Sequence, residues 1–238
     1  TVTDTSATAA NLTSIDAATT VAVTASAVTT LSGTATEVIA AYAADTAGTL
    51  VLDNDEVVSV SGTVSVTDAN TISSKTSGVV TASIASGTYT ALNALNETAN
   101  VYALSLSESI TVDEANTLNG KTAGVITATI STGASATLAG LNGTGNAYTI
   151  TVTDTSATAS ELTSIDAATT VAVQAGNVTS LSGTATEVIA AYAADTAGTI
   201  VLDGDETVSV SGSVSVANAN TIADKTSGVV TATIAEGD

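Results

Sequence analysis

Residues 151–238 repeat residues 1–88 at an offset of 150, with 71 identities over the 88 positions. The stretch LSGTATEVIAAYAADTAGT occurs unchanged from Leu31 and from Leu181. Fidelity over so long an offset means a tandem array. The domain reading is therefore one long repeat over 1–150 and a partial second copy over 151–238. Shorter phrases recur inside it. VVTASIASGTYTALNALNETAN from Val79 matches VITATISTGASATLAGLNGTGN from Val125, an offset of 46. Strands are expected to begin near residues 79, 101, 125, 147, 171, 199 and 229. One long repeat then holds six coils of 22 to 30 residues, the length range of leucine-rich repeats and large β-helix coils.

Each coil opens on a period-two alternation. In VITATI, Ile126, Ala128 and Ile130 share one face and Val125, Thr127 and Thr129 the other. In AYTITV, Tyr148, Ile150 and Val152 oppose Thr149 and Thr151. An apolar inner face and an outer face of β-branched, polar Thr suit a half-buried parallel strand. A short helical segment follows. Val38, Ile39 and Tyr42 make a helical face within Ala35–Ala44, and TALNALNETA, SELTSID and ANTLNGK are shorter versions. Asp113 and Thr158 are expected as N-caps. Gly78, Gly124, Gly198 and Gly228 are expected in turns with positive φ.

Composition bears on how such coils pack. The chain has no Phe, Trp or Met and five Tyr, yet its hydrophobic fraction is 44% and its mean hydropathy +0.42. That is too apolar for a disordered chain and too poor in large side chains for a thick core. The expected fold is a repeat solenoid of parallel β-strands with a short helix or helical turn per coil, either a β-helix or leucine-rich-repeat-like.

Absent residue types exclude much chemistry. Without His or Cys there is no Ser-His-Asp triad, thiol nucleophile, ordinary zinc site or disulfide. Three Lys against 23 Asp and Glu leave a formal charge of −20 and nothing to neutralise phosphate, so nucleic acid is not an expected partner. The longest apolar stretch, Val38–Ala44, falls far short of the ~20 residues that cross a bilayer, so no membrane insertion is expected. No signal peptide is visible, and the chain reads as a fragment of something longer.

The acidic phrase LDNDE, with Asp53, Asp55 and Glu56, recurs as LDGDE, with Asp203, Asp205 and Glu206. Closely spaced carboxylates around Asn or Gly resemble a minimal oxygen-ligand set for Ca²⁺, the one cofactor suggested, and none is required. Acids that recur with the repeat, with no aromatic surface for a sugar, do not make a glycosidase. Lys75, Lys121 and Lys225 all lie in K-T-[SA]-G and are expected as counter-charges to nearby acids. Tyr42, Tyr102, Tyr148 and Tyr192 follow the repeats and are expected in the core, whereas Tyr89 is a singleton. Sequons at Asn11, Asn96, Asn142 and Asn177 are unremarkable in a chain so rich in Thr.

LSGTATEVIAAYAADTAGT, EANTLNGKTAGVITATIS and LTSIDAATTVAV resemble the Thr/Ala/Val-rich tandem repeats of giant cell-surface proteins of marine cyanobacteria and related bacteria. The resemblance implies an extracellular or cell-surface location and a structural or adhesive role, with no site residue carried over. The expected function is a structural repeat segment of a long extracellular fibre, sheath, surface layer or adhesin stalk, without catalysis. The alternative is a binding module, a carbohydrate- or surface-binding adhesin. Expected partners are further copies of the repeat along the chain, with lateral or end-to-end self-association.

Overall fold

In the computed structural model, residues 1–96 and 98–236 are described. Glu97, within the expected helical segment TALNALNETA, lies outside the described residues. The chain opens with β1 (Ser6–Thr8), α1 (Ala9–Ala17), β2 (Val23–Thr24), β3 (Thr30–Thr34), α2 (Ala35–Ala47), β4 (Leu50–Val51), β5 (Val57–Val64) and α3 (Val66–Ser73). Then come β6 (Val80–Ile84), α4 (Tyr89–Leu92), β7 (Val101–Ile110), α5 (Val112–Asn119), β8 (Ile126–Ile130), α6 (Ser135–Leu138) and β9 (Ala147–Thr149). The second copy supplies β10 (Ser156–Thr158), α7 (Ala159–Ala167), β11 (Val173–Gln174), β12 (Ser180–Thr184), α8 (Ala185–Ala197), β13 (Ile200–Val201), β14 (Thr207–Val214), α9 (Val216–Ala223) and β15 (Val230–Ile234).

The expectation of a repeat solenoid, β-helix or leucine-rich-repeat-like, is corrected. The fold is α/β: a seven-stranded parallel sheet of order β1-β3-β5-β6-β7-β8-β9 with alternating helices. The strands do not form one sheet: β10-β12-β14-β15 form a separate four-stranded sheet, and after β9 the parallel pairing continues only as isolated bridges, Asn146 with Thr169 and Thr151 with Gln174. The segments after the strands are crossover helices rather than the turns of a β-helix. Chain contacts divide into two units, Thr1–Glu108 with Thr117–Thr127 and Ser109–Asn116 with Ala128–Asp238, so the unit boundary does not coincide with the sequence repeat.

Local chemistry explains the helices. Thr34 Oγ1 accepts from Glu37 N–H and Glu37 Oε2 accepts from Thr34 N–H, closing a capping box. Gly48, at φ 77°, ends α2 in the left-handed conformation. Thr184, Glu187 and Gly198 repeat these devices on α8. Thr158 is the N-cap of α7, as expected, and Glu161 completes its box. Asp113 is not a cap. Its place is taken by Thr111, which exchanges hydrogen bonds with Glu114 three residues further in. TALNALNETA forms helix only over Tyr89–Leu92.

The sheet core is a ladder of like residues. Ala7, Leu31, Val58 and Val80 pair in register across β1, β3, β5 and β6, and Ala157, Leu181, Val208 and Val230 do so in the second copy. Alternation on β8 matches the sequence reading: Ile126, Ala128 and Ile130 are buried while Thr127 and Thr129 are exposed. Helices α1, α2 and α3 pack side by side over one unit's inner residues, as α7, α8 and α9 do in the other. The strands expected at residues 171 and 199 are only two-residue pairs, β11 with β13, and the main strands lie further along, at β12 and β14.

Consecutive strands are fastened by K-T-[SA]-G. Thr122 Oγ1 accepts Tyr102 N–H at 2.7 Å, lies 2.8 Å from Tyr102 O, and accepts Gly124 N–H at 2.8 Å. Thr76 and Thr226 donate to the carbonyls of Glu56 and Glu206, each at 2.7 Å. Gly78, Gly124 and Gly228 do not have the positive φ expected of them. They are glycines because a Cβ would overlap the preceding strand's backbone, at Glu56, Tyr102 and Glu206 respectively. Replacing Gly124 by Ala should cost about 1–3 kcal/mol through this overlap. Thr122→Val, which strands buried backbone groups, should cost about 1–3 kcal/mol. The exposed control Thr129→Val should stay within about 0.5 kcal/mol. Urea denaturation midpoints compare all three.

Candidate functional site

The turn Leu52–Glu56 is shaped by its middle residue. Asn54 has φ 60° and its counterpart Gly204 φ 73°, a left-handed conformation that Asn and Gly tolerate best. That twist turns the Asn54 N–H onto Glu56 Oε1 at 3.1 Å, and the Gly204 N–H onto Glu206 Oε1 at 3.0 Å. Each Glu is fully buried and takes a second bond from a tyrosine of the preceding helix. Tyr42 Oη donates to Glu56 Oε2 at 2.9 Å and Tyr192 Oη to Glu206 Oε2 at 3.0 Å. Burial, and next the adjacent carboxylate, push both phenols well above their ordinary range.

The residues suggested as calcium ligands are thereby separated. Asp53, Asp55, Asp203 and Asp205 point into solvent-exposed positions around the Asn or Gly, apart from the exception of Gly204 being half-buried, while Glu56 and Glu206 turn inward. Among the described residues no group of three or more acidic side chains is arranged to hold a metal.

The lysines were expected as counter-charges; among the described residues their partners are hydroxyls and a carbonyl. Lys75 and Lys225 reach the hydroxyls of Thr46 and Thr196, at 3.5 and 3.1 Å, and Lys121 Nζ donates to Leu95 O at 2.9 Å. Lys75 stands at the rim of a groove of about 270 Å³ between α2 and α3, lined by Ile39, Tyr42, Ala43, Thr46, Thr71 and Ile72. A twin of about 240 Å³ lies at Lys225 between α8 and α9.

One constellation was not legible in the sequence. Buried Ser135 gives its N–H to Asp154 Oδ2 at 2.7 Å, and its Oγ lies 3.0 Å from both Asp154 Oδ2 and Glu161 Oε2. A serine between carboxylates suggests a nucleophile, yet its neighbours identify a structural role. At the position 46 residues earlier, Glu108 accepts the Tyr89 N–H at 2.8 Å in the same way. In both cases a carboxylate 19 residues on satisfies the first N–H of a short helix. Glu161 is held below its usual carboxylate range chiefly by the Thr158 N–H, so it is a poor proton acceptor near neutral pH. The signal was a carboxylate 19 residues after each helix start, visible only once the strands are placed.

Tyr102 and Tyr148 are buried at equivalent places, and Tyr89 is half-buried, as the repeat arithmetic implies. No protein group among the described residues partners the Tyr148 hydroxyl, and burial pushes its phenol up to about 12. Strand order in both sheets follows chain order without reversal, so neither has the switch point at which open α/β sheets commonly bind ligands. No family model, curated protein or solved structure matches the chain.

Two tyrosines that look alike in sequence should respond oppositely to loss of the hydroxyl. Tyr42→Phe leaves the buried Glu56 carboxylate short of a donor and should destabilise by about 1–3 kcal/mol. Tyr148→Phe removes a hydroxyl that has no protein partner and should be neutral or stabilising by up to about 1 kcal/mol. The unfolded chain ionises its tyrosines near pH 10, before the folded chain does. Stability should therefore be full below about pH 10 and fall as pH rises towards about 12, less steeply in Tyr148→Phe. Thermal melts between pH 8 and 12 measure both effects.

Proposed function

We propose that the chain is a structural, non-catalytic segment of an extracellular assembly, such as a fibre, sheath, surface layer or adhesin stalk. The observation that carries this reading is the fate of its polar side chains. Thr76, Thr122, Thr169 and Thr226 each spend their hydroxyl on the backbone of the preceding strand. Asn70 and Asn116 bridge to the following turn, and Glu56 and Glu206 are consumed inside. Groups that could perform chemistry are used to fasten one strand to the next, and the same bonds recur with the repeat. Dense negative charge keeps such a surface solvated and averse to non-specific contact. The resemblance of the repeat phrases to those of giant bacterial surface proteins supports the same location. The carbohydrate-binding alternative has less behind it, since four of the five tyrosines are buried and none of those can stack on a sugar.

Immunogold electron microscopy of intact producing cells, with an antibody raised against the folded chain, tests the proposal. Label should lie outside the cell, on extended or layered material, and should be lost after brief surface proteolysis. Label confined to the cell interior would overturn it.

A further inference from the structure

Helices α2 and α3 pack side by side between β3 and β6. Along their contact the small side chain of Ala43 leaves a groove of about 270 Å³. Its apolar lining is Ile39, Tyr42, Ala43 and Ile72, of which Tyr42 and Ile72 are buried. Lys75 stands at the rim with Thr46 and Thr71. The twin groove between α8 and α9, of about 240 Å³, is lined by the counterparts of the same residues, with Lys225 in the place of Lys75.

The hydrogen-bond donors around this groove are unequally used. A hydroxyl has a single proton to give. Thr46 gives its own to Tyr42 O and Thr71 to Thr67 O, each at 2.8 Å, and Tyr42 Oη gives its own to Glu56. In the twin, Thr196, Thr221 and Tyr192 are spent in the same way. Lys75 differs. Among the described residues its Nζ donates to Thr46 Oγ1 alone, at 3.5 Å, longer than the usual range of about 2.7–3.2 Å. Lys225 does the same to Thr196 Oγ1 at 3.1 Å. An ammonium carries three donors, so more than one stays open to a ligand. Lys121, the third copy, instead reaches inward and gives its Nζ to Leu95 O at 2.9 Å. An occupant of the groove must therefore be apolar along its length and bring an acceptor at one end. A sugar, polar all round, would leave groups unpaired against Ile39, Ala43 and Ile72. An ionised acceptor suits the ammonium best, because charge-assisted bonds are the strong ones.

We propose that each groove binds one free alkyl carboxylate, its head on the lysine and its tail on the apolar lining. The volume falls just under the ~300 Å³ at which sites for drug-sized ligands begin, which suits a single chain of about six to eight carbons. Lys75 Nζ donates to the carboxylate of one molecule, and Lys225 Nζ to that of a second. The chain's charge of −20 repels anions at long range, so the site is not steered to its ligand and selects by contact. Apolar burial supplies the affinity, and the ammonium fixes which end of the molecule lies where. This inference concerns a ligand and does not rest on the assembly proposed above.

Amide NMR of the isotope-labelled 238-residue chain, titrated with sodium octanoate, tests the proposal. Saturable shifts should gather at residues 39–46 and 71–75 and at their counterparts 189–196 and 221–225. The dissociation constant should be about 1 mM or tighter. Each methylene added between butanoate and octanoate should tighten binding about three- to fourfold. Lys75→Gln should weaken the first site about tenfold and leave the second as it was, both being read from one spectrum. Lys75 is exposed, so its thermal midpoint should not move. Ala43→Leu fills the groove, keeps the lysine and suits a helix, and it should abolish the shifts at the first site. Hexan-1-ol should bind about tenfold more weakly than hexanoate. Absence of saturable shifts in both grooves would overturn the proposal, as would undiminished binding in Lys75→Gln or hexanol that binds as tightly as hexanoate. Tighter binding of a short peptide ending in isoleucine than of octanoate would overturn it too, by assigning the groove to a chain terminus. Each of these results leaves the cell-surface labelling experiment untouched, so the two proposals fail separately.

Discussion

Where Gly78, Gly124 and Gly228 sit, one strand's backbone approaches the next so closely that no other residue fits. Just before each of them, a Thr hydroxyl takes up backbone groups of the strand it has approached. The two features depend on each other. Without the glycine the hydroxyl could not reach, and without the hydroxyl the close approach would bury unpaired amides and carbonyls. Lys75, Lys121 and Lys225 complete the device by reaching back to a threonine hydroxyl or a carbonyl of an earlier segment. A three-part motif therefore sets the strand-to-strand spacing of a core with no large side chains beyond tyrosine.

The same economy governs the acidic residues. A carboxylate buried against a phenol and a backbone amide is sheltered from water and from ligands alike. Glu56 and Glu206 are in that position, whereas Glu37 and Glu187 cap helices and Asp154 holds the first amide of α6. Capping carboxylates are held below their usual range by the amides they accept from, which suits a structural anion and not a general base. Function in this chain is thus more readily sought in surfaces than in reacting groups.

Several features were legible without coordinates because they depend on near neighbours in the chain. Alternation in VITATI and the N-cap at Thr158 follow from short-range pattern, and the burial of four tyrosines from their recurrence with the repeat. Other features failed for a common reason. Gly78 was read as a turn glycine because a sequence cannot show another strand's carbonyl pressing on it. Asp53, Asp55 and Glu56 looked like one ligand set because their spacing hides the inward turn of Glu56. The solenoid reading extended a sequence period into one continuous structure, whereas β9 and β10 belong to different sheets.

Amino-acid order by itself determined the repeat, the local elements and the residues able to cap, alternate or turn, since these interactions close within a few positions. Tertiary structure alone decided which carboxylates are buried, which hydroxyls find partners and where a sheet ends. Ile15 and Ile165 make the distinction concrete: both sit in LTSIDAATT, yet one is half exposed and the other enclosed. Burial belongs to what packs alongside a residue, and a sequence copied faithfully does not copy its neighbours.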